Sequence, residues 1–294
     1  MSKNIIYFGS PAFSADILDA IYPNFQIVGV VTSPDKPTGR HQALTPSPVA
    51  LAANKYDLPI FKPEKLDSAN LSHLKLLKPD YFLVVSYGKI IPNDYLAAAK
   101  TLNVHFSLLP KYRGALCIQE ALKNGDQETG VTLMEMVEKL DAGPIISQEK
   151  VKIDISDNIS ILTTKLTPKA ITILTNDMQE YFNGNIKPIN QNEQQVILTP
   201  PTRSLTRTSA FIPWDKLRSA FSGQQSALDL HNLIRSQNPD PGSWTQINNL
   251  EVKIIKTHLS ADGRQLIAEI VQLPGKSPIS WQAFLSGHPN LSLT

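Results

Sequence analysis

The chain has 294 residues, of which 41% are hydrophobic and 18% charged, an ordinary globular composition with enough apolar material for two cores. A formal net charge of +2 permits a nucleic-acid partner without demanding one, because phosphate recognition depends on local basic patches. The single cysteine, Cys117, excludes an intrachain disulfide and a cysteine-rich zinc cluster. The apolar run Ile5–Phe8 is far too short for a signal peptide or a membrane span. We therefore expect a cytoplasmic protein without membrane association.

Strand and helix patterns alternate through the first half of the chain. The predicted strands are Ile5–Phe8, Ile27–Thr32, Tyr81–Ser86 and Leu102–His105. The predicted helices between them are Ala12–Ile21, Pro48–Tyr56 and Ser68–Leu77. This alternation predicts an α/β fold, in which a parallel sheet carries helices on both faces.

Ligands of such sheets bind beyond the carboxyl ends of the strands, which selects four groups of residues. They are Gly9-Ser10-Pro11, Ser33-Pro34-Asp35, Tyr87-Gly88, and Asn103 with His105. The first turn holds one glycine and lacks the G-x-G-x-x-G fingerprint, which disfavours a nicotinamide enzyme.

The second half of the chain predicts a smaller β-rich domain. A strand pattern at Val151–Ile155 precedes helical spacing from Ile159 to Met178, interrupted at Pro168, with Gly184 as a helix stop. Beyond a polar, proline-containing stretch lie a helix pattern and two strand patterns, at Ser226–Gln237, Glu251–Thr257 and Gln265–Val271. We expect a first domain over 1–188, a linker over 189–204 and a second domain over 205–294.

Most of the candidate catalytic and binding residues lie between Asn103 and Leu122. Asn103 and His105 project from one face of a strand because strand side chains alternate, although both could simply pair with backbone groups near the strand end. Ser107-Leu108-Leu109-Pro110 forms a turn whose leucines could wall a slot for a flat ring. Arg113-Gly114 adds a cation and a hinge, and Asp141 lies on a glycine-containing loop from which it could reach the histidine.

The ordered motifs N-x-H-x-S-L-L-P, Y-R-G-A, T-G-V-T-x-M and L-D-x-G resemble the folate-dependent formyltransferases, and among them the methionyl-tRNA formyltransferase family. FGSPAFSADIL, TSPDKPTGR and VVSYGKIIP resemble that family's segments in the same order. The resemblance is close from residue 1 to about 190. From there it is weaker and rests on IPWDK, IRSQNPDPGSW and EVKIIKT.

The resemblance implies a Rossmann-like catalytic domain followed by a small OB-like β-barrel domain that binds tRNA. It implies transfer of a formyl group from 10-formyltetrahydrofolate to the amine of initiator methionyl-tRNA, for translation initiation. Asn103 would donate to the oxyanion, His105 would assist proton transfer, and Asp141 would orient the imidazole. The turn Ser107-Leu108-Leu109-Pro110, bordered by Tyr87-Gly88, would bind the reduced folate. No metal is required, because proton shuttling suffices, and we expect a monomer.

Basic residues in two regions are candidates for tRNA contact. By resemblance, the loop between Pro34 and Pro46 would lie near the acceptor end; its candidate residues are Lys36, Arg40 and His41. The alternative is a solvated loop. The stretch from Pro201 to Arg218 contains four basic residues and one acidic residue, Asp215. This excess of positive charge could bind phosphates. The basic residues are Arg203, Arg207, Lys216 and Arg218.

The sequence departs from the family pattern at Phe106, where a small residue is usual, and at Leu116-Cys117, where Ala-Pro is usual. It also has fewer lysines between Arg40 and Pro46. Three alternatives stay open: a formyltransferase acting on a nucleotide-linked amino sugar, a catalytically idle RNA-binding protein, and a hydrolase of formyl-folate.

Overall fold

A computed structural model describes residues 3–39, 42–224 and 226–289. Within these ranges, residue 203 is described by its backbone alone. The chain divides into two compact units. Unit 1 consists of Met1–Gly114, Gly130–Val151 and Thr164–Leu198. Unit 2 consists of Ala115–Thr129, Lys152–Thr163 and Thr199–Thr294. The C-terminal part of the chain therefore forms a compact unit together with two short segments from earlier in the sequence.

The first nine strands are β1 (Asn4–Gly9), β2 (Gln26–Val31), β3 (Lys36–Thr38), β4 (Ala43–Thr45), β5 (Ile60–Phe61), β6 (Tyr81–Val85), β7 (Lys100–His105), β8 (Glu128–Glu135) and β9 (Ile145–Lys152). Seven of them form one sheet in the order β5-β2-β1-β6-β7-β8-β9. The strands from β5 to β7 pair in parallel, whereas β7 pairs with β8 antiparallel. Strands β3 and β4 form a separate hairpin. The predicted α/β class is confirmed, with a sheet that is mostly parallel.

Seven helices accompany these strands: α1 (Ala12–Ile21), α2 (Pro48–Asn54), α3 (Ser68–Lys75), α4 (Asn93–Ala98), α5 (Cys117–Lys123), α6 (Ile159–Thr172) and α7 (Met178–Phe182). Side-chain caps begin two of them, since Ser47 accepts from the Ala50 N–H and Asp67 from the Asn70 N–H. Pro168 was predicted to interrupt the helical pattern, but α6 continues through it. A π-helical turn over Ile173–Asp177 follows α6 and leads into α7.

Strand β1 lies inside the sheet between β2 and β6 and is buried along its length. Ile5, Ile6, Tyr7 and Phe8 are fully buried, as expected of a parallel strand covered on both faces. The Phe8 ring meets Phe82 of β6 edge-on at 5.2 Å. On the next strand, Asn103 is in register with Val84 of β6 and Met134 of β8. The polar end of β7 is therefore fixed between two paired strands.

Unit 2 has its own sheet and core. Its remaining elements are α8 (Trp214–Phe221), α9 (Ala227–Gln237), β10 (Trp244–Ile247), β11 (Leu250–Leu259), β12 (Leu266–Gln272), β13 (Ile279–Ser280) and α10 (Trp281–Gly287). The strands form one four-stranded antiparallel sheet in chain order, which confirms the predicted β-rich second part. Helices α8, α9 and α10 supply Leu217, Ile234 and Phe284 to its core. Among the described helices of the chain, none is long and apolar enough to cross a membrane.

Candidate active site

Three polar side chains converge at the end of β7. Asn103 and His105 come from the strand, and Asp141 comes from the loop that follows β8. Asn103 Nδ2 donates to Asp141 Oδ1 at 3.4 Å, and His105 Nδ1 lies 3.7 Å from Asp141 Oδ2. The side chains of His105 and Asp141 are only 7% and 10% exposed. The structure thus brings together all three residues predicted to act in catalysis.

The other imidazole nitrogen determines which atom of His105 can exchange a proton. His105 Nε2 lies 2.9 Å from the backbone oxygen of Tyr112. A carbonyl oxygen can only accept a hydrogen bond, so Nε2 carries a hydrogen and donates it. Nδ1 is therefore the nitrogen that can gain or lose a proton, and it is the one that faces Asp141.

The loop that carries Asp141 depends on two close backbone approaches. The Gly114 N–H donates to Asp141 Oδ2 at 2.8 Å, which fixes one carboxylate oxygen. Asp141 itself has a φ of 46°, in the left-handed region. A Cβ on Gly143 would lie 1.9 Å from the backbone oxygen of Glu135, so only glycine lets the loop pack against the end of β8.

The turn over 107–110 is held by side chains of β8 and β9. Thr132 Oγ1 donates to the Ser107 oxygen at 2.6 Å and lies 3.2 Å from the Leu109 N–H, which donates to it. Gln148 Nε2 donates to the Leu109 oxygen at 2.9 Å. Ser107 and Leu109 are buried, while Leu108 and Pro110 are partly exposed. The turn therefore has a fixed shape, with two of its four residues accessible.

Two of the departures from the family pattern lie near this turn in sequence. Phe106 is 4% exposed and packs edge-on against Phe13 of α1, with the ring centroids 5.1 Å apart. Cys117 is buried at the start of α5. Phe106 thus occupies a well-packed position in unit 1.

A cleft of about 620 Å³ opens at the carboxyl ends of β1, β2 and β6, where the sheet topology predicts a ligand. Its lining includes Tyr87, Gly88 and, from the β3–β4 hairpin, Lys36. The Tyr87 hydroxyl is buried and has no hydrogen-bond partner among the described residues. Burial raises the pKa of Tyr87 to about 12, so the hydroxyl stays protonated at neutral pH. Residues 107–110 are not among the described residues that line this cleft.

Comparison with known proteins places the chain in a family. The model of the family described as formyl transferase matches residues 3–177, and that of the formyl transferase C-terminal domain matches residues 220–266. The chain belongs to the formyl transferase family. The resemblance read from the sequence motifs is therefore confirmed.

Two relatives are similar to this formyl transferase over most of their length. A methionyl-tRNA formyltransferase of Lactobacillus acidophilus is 36% identical over 283 residues, which cover 95% of this chain and 86% of the relative. One of Listeria welshimeri is 35% identical over 308 residues, which cover 96% and 95%. The fold is also that of HypX from Aquifex aeolicus in complex with tetrahydrofolic acid, at a TM-score of 0.65 and 14% identity. That match covers 97% of this chain and 47% of HypX, so the chain spans about half the length of that structure.

The basic residues predicted to contact tRNA in this formyl transferase differ in which side chains they contact. Lys36 is exposed on the β3–β4 hairpin. Arg207 is exposed, forms an ion pair with Glu251 and lies over the Trp244 ring at 4.8 Å from its centroid. Arg40, His41 and the side chain of Arg203 lie outside the described residues.

Sequence reasoning singled out Arg113 but missed its partners Gln191 and Glu193 beside the Asp141 loop of this formyl transferase. Arg113 is 1% exposed and bonds Gln191 and Glu193, which both lie in the predicted linker. Arg113 and Lys139 together hold the pKa of Glu193 down at about 2. No local pattern could predict these contacts, because they join positions about 80 residues apart.

Proposed function

We propose that the chain transfers a formyl group from 10-formyltetrahydrofolate to the amine of initiator methionyl-tRNA in the cytoplasm. The observation that carries the proposal is the convergence of Asn103, His105 and Asp141 at the carboxyl edge of the sheet. The names of the two relatives support the tRNA acceptor over an amino sugar. Both relatives are matched along nearly the whole chain, including the unit 2 sequence.

Each of the three residues has a role that its contacts permit. The formyl donor supplies an electrophilic carbon whose oxygen gains negative charge during amine attack. Asn103 Nδ2 makes only a long bond of 3.4 Å to Asp141, so the amide can donate to that oxygen at little cost. His105 Nδ1 and Asp141 Oδ2 are 3.7 Å apart, close enough to pass a proton after a small shift. Such proton transfer typically contributes about 10²- to 10⁴-fold to the rate.

We propose that the reduced folate is held by Tyr87, Gly88 and the turn Ser107-Leu108-Leu109-Pro110. The cleft of about 620 Å³ beside Tyr87 and Gly88 supports a ligand at this edge of the sheet, whereas the turn over 107–110 lies outside its described lining and enters the proposal through the resemblance alone. Tyr87 borders the cleft but packs its ring against Phe8 in the core, so we assign it the role of a wall of the site.

We further propose that residues 1–188 carry catalysis and that 205–294, joined by a linker over 189–204, bind tRNA. Lys36, Arg40, His41, Arg203 and Arg207 are the proposed phosphate contacts. Counterion release makes such contacts weaken with salt, so Arg40→Ala should weaken tRNA binding and flatten its salt dependence. Because Arg207 already pairs with Glu251, we expect a smaller effect from Arg207→Ala.

The deciding experiment offers 10-formyltetrahydrofolate with one of three acceptors: charged initiator tRNA, an amino-sugar nucleotide, or none. Formylation of the tRNA alone supports the proposal. Formylation of the sugar nucleotide, or release of formate without an acceptor, replaces it with the corresponding alternative. Tight tRNA binding without transfer would indicate an idle RNA-binding protein.

A further inference from the structure

The side-chain amide of Gln191 uses its full hydrogen-bonding capacity. Its Nε2 donates to the backbone oxygens of Asp141 and Gly143, each at 2.8 Å. Its Oε1 accepts from Arg113 Nε at 3.0 Å and from Arg113 Nη2 at 2.8 Å. A primary amide has two N–H donors and two acceptor lone pairs, so none is left for another partner.

Both ends of this amide lead to the Asp141 carboxylate. Gln191 Nε2 bonds the backbone of Asp141 itself and that of Gly143. Gly143 is the glycine that packs against the end of β8. Gln191 Oε1 accepts from the Arg113 side chain. The residue after Arg113, Gly114, donates its backbone N–H to Asp141 Oδ2. One side chain therefore connects the backbone that carries the carboxylate to the backbone that binds it.

A second bridge, two residues further on, strengthens the first. Glu193 pairs with Arg113 at 2.7 Å and with Lys139 at 2.8 Å. The backbone oxygen of Lys139 accepts from the Ala142 N–H at 3.2 Å, within the same loop. Arg113 is anchored independently, because its N–H donates to the Ile197 oxygen at 2.9 Å. The loop over 139–143 is thus held by a segment that the sequence predicts to be only a linker.

We propose that Gln191 is a positioning residue for Asp141, so that the start of the predicted linker is part of the catalytic architecture. The inference rests on the proposed function, in which Asp141 acts on His105. Gln191 touches none of the proposed reacting atoms and acts through the carboxylate. A carboxylate displaced by about 1 Å costs about 10²-fold in rate, which gives the positioning residue a measurable effect.

The test compares Gln191→Glu and Gln191→Leu with Gln195→Glu and Gln195→Leu in the full chain. Gln191→Glu keeps an acceptor oxygen for Arg113 and replaces the donor Nε2 by an oxygen, which cannot bond the carbonyl oxygens of Asp141 and Gly143. Gln195 is exposed in the same segment and provides matched controls. We expect both Gln191 variants to lose about 10- to 100-fold in kcat. We expect the KM values for folate and tRNA, and all parameters of the controls, to stay within about threefold.

A double variant separates positioning from general destabilisation. The background is Asp141→Glu, which keeps a carboxylate but displaces it. If Gln191 acts through the position of Asp141, adding Gln191→Leu to Asp141→Glu costs less than about threefold further, because the carboxylate is already displaced. Losses that multiply, or a Gln191 variant with kcat within about threefold of wild type, would overturn the inference.

Amide hydrogen exchange decides the question even if the wild-type chain transfers no formyl group, which would refute the proposed function alone. Backbone amides over 139–143 should exchange at least about tenfold faster in Gln191→Leu than in wild type and in Gln195→Leu. Equal exchange in all three would show that Gln191 does not hold the loop.

Discussion

The backbone N–H of Gly114 donates a 2.8 Å hydrogen bond to Asp141 Oδ2, across 27 positions of sequence. The same oxygen is the one that faces His105 Nδ1. Because the bond comes from the backbone, it does not depend on a side chain at position 114. The proposed proton relay between His105 and Asp141 therefore depends on the loop that brings Gly114 to Asp141, as well as on the two residues themselves.

We expect Asp141→Asn and Asn103→Ala each to abolish formyl transfer while leaving the fold intact. The first removes the negative charge beside His105, and the second removes the donor proposed for the oxyanion. The measurement is kcat/KM for tRNA formylation, with circular dichroism and thermal melting as fold checks. Asn183→Ala, an exposed substitution in unit 1, is the control. Activity within tenfold of wild type in either variant would remove that residue's role.

We expect Gly143→Ala to reduce transfer by more than about tenfold and to destabilise the protein by about 1–3 kcal/mol. Its new Cβ would lie 1.9 Å from the Glu135 backbone oxygen, so the loop carrying Asp141 must move. Gly287→Ala is the matched control, since a Cβ there meets nothing within 4 Å. Kinetics and the unfolding free energy measure both effects. A Gly143→Ala enzyme that performs like Gly287→Ala would show that the loop tolerates the shift.

The parts of the fold that sequence predicted are those specified by local patterns. Helix α1 begins and ends where its apolar spacing placed it, at Ala12 and Ile21, and β1 differs from its prediction by one residue at each end. The side-chain alternation that put Asn103 and His105 on one face needs only neighbouring residues. Gln191 could not be assigned in this way, because its partners Arg113 and Asp141 are 78 and 50 positions away.

We expect the stabilising effect of Glu193 to disappear as the solution is acidified. Its hydrogen bonds to Arg113, and then to Lys139, lower its pKa from 4.5 to about 2 in the folded protein. A carboxyl whose folded pKa is depressed stabilises the fold above its unfolded pKa and loses that contribution as pH falls through the folded value. The melting temperature of wild type should therefore exceed that of Glu193→Gln at pH 7, with the gap closing between about pH 4.5 and 2. Glu138→Gln, an exposed change nearby, is the control. A gap that does not depend on pH would contradict the ion-pair origin.

We expect His231 to make unit 2 less stable in mild acid. Its side chain is 3% exposed and lies between Thr257 Oγ1 at 2.9 Å and the Ile155 oxygen at 2.8 Å. Burial is the main cause that lowers its pKa below 6.5, and the nearby Arg235 charge adds to the effect. Below pH about 6.5 the unfolded chain therefore binds a proton that the folded chain resists, so stability falls as pH falls.

The His231→Asn variant isolates this effect, because asparagine does not titrate. Tryptophan fluorescence reports on unit 2, where all three tryptophans lie, at Trp214, Trp244 and Trp281. Between pH 7.5 and 5.5 the unfolding free energy of wild type should fall more steeply than that of His231→Asn. His73→Asn, an exposed change in α3, should keep the wild-type slope. Equal slopes of unfolding free energy against pH for wild type and His231→Asn would contradict this prediction. They would mean that His231 binds a proton equally well in the folded and unfolded chain, so that its burial does not make unit 2 sensitive to acid.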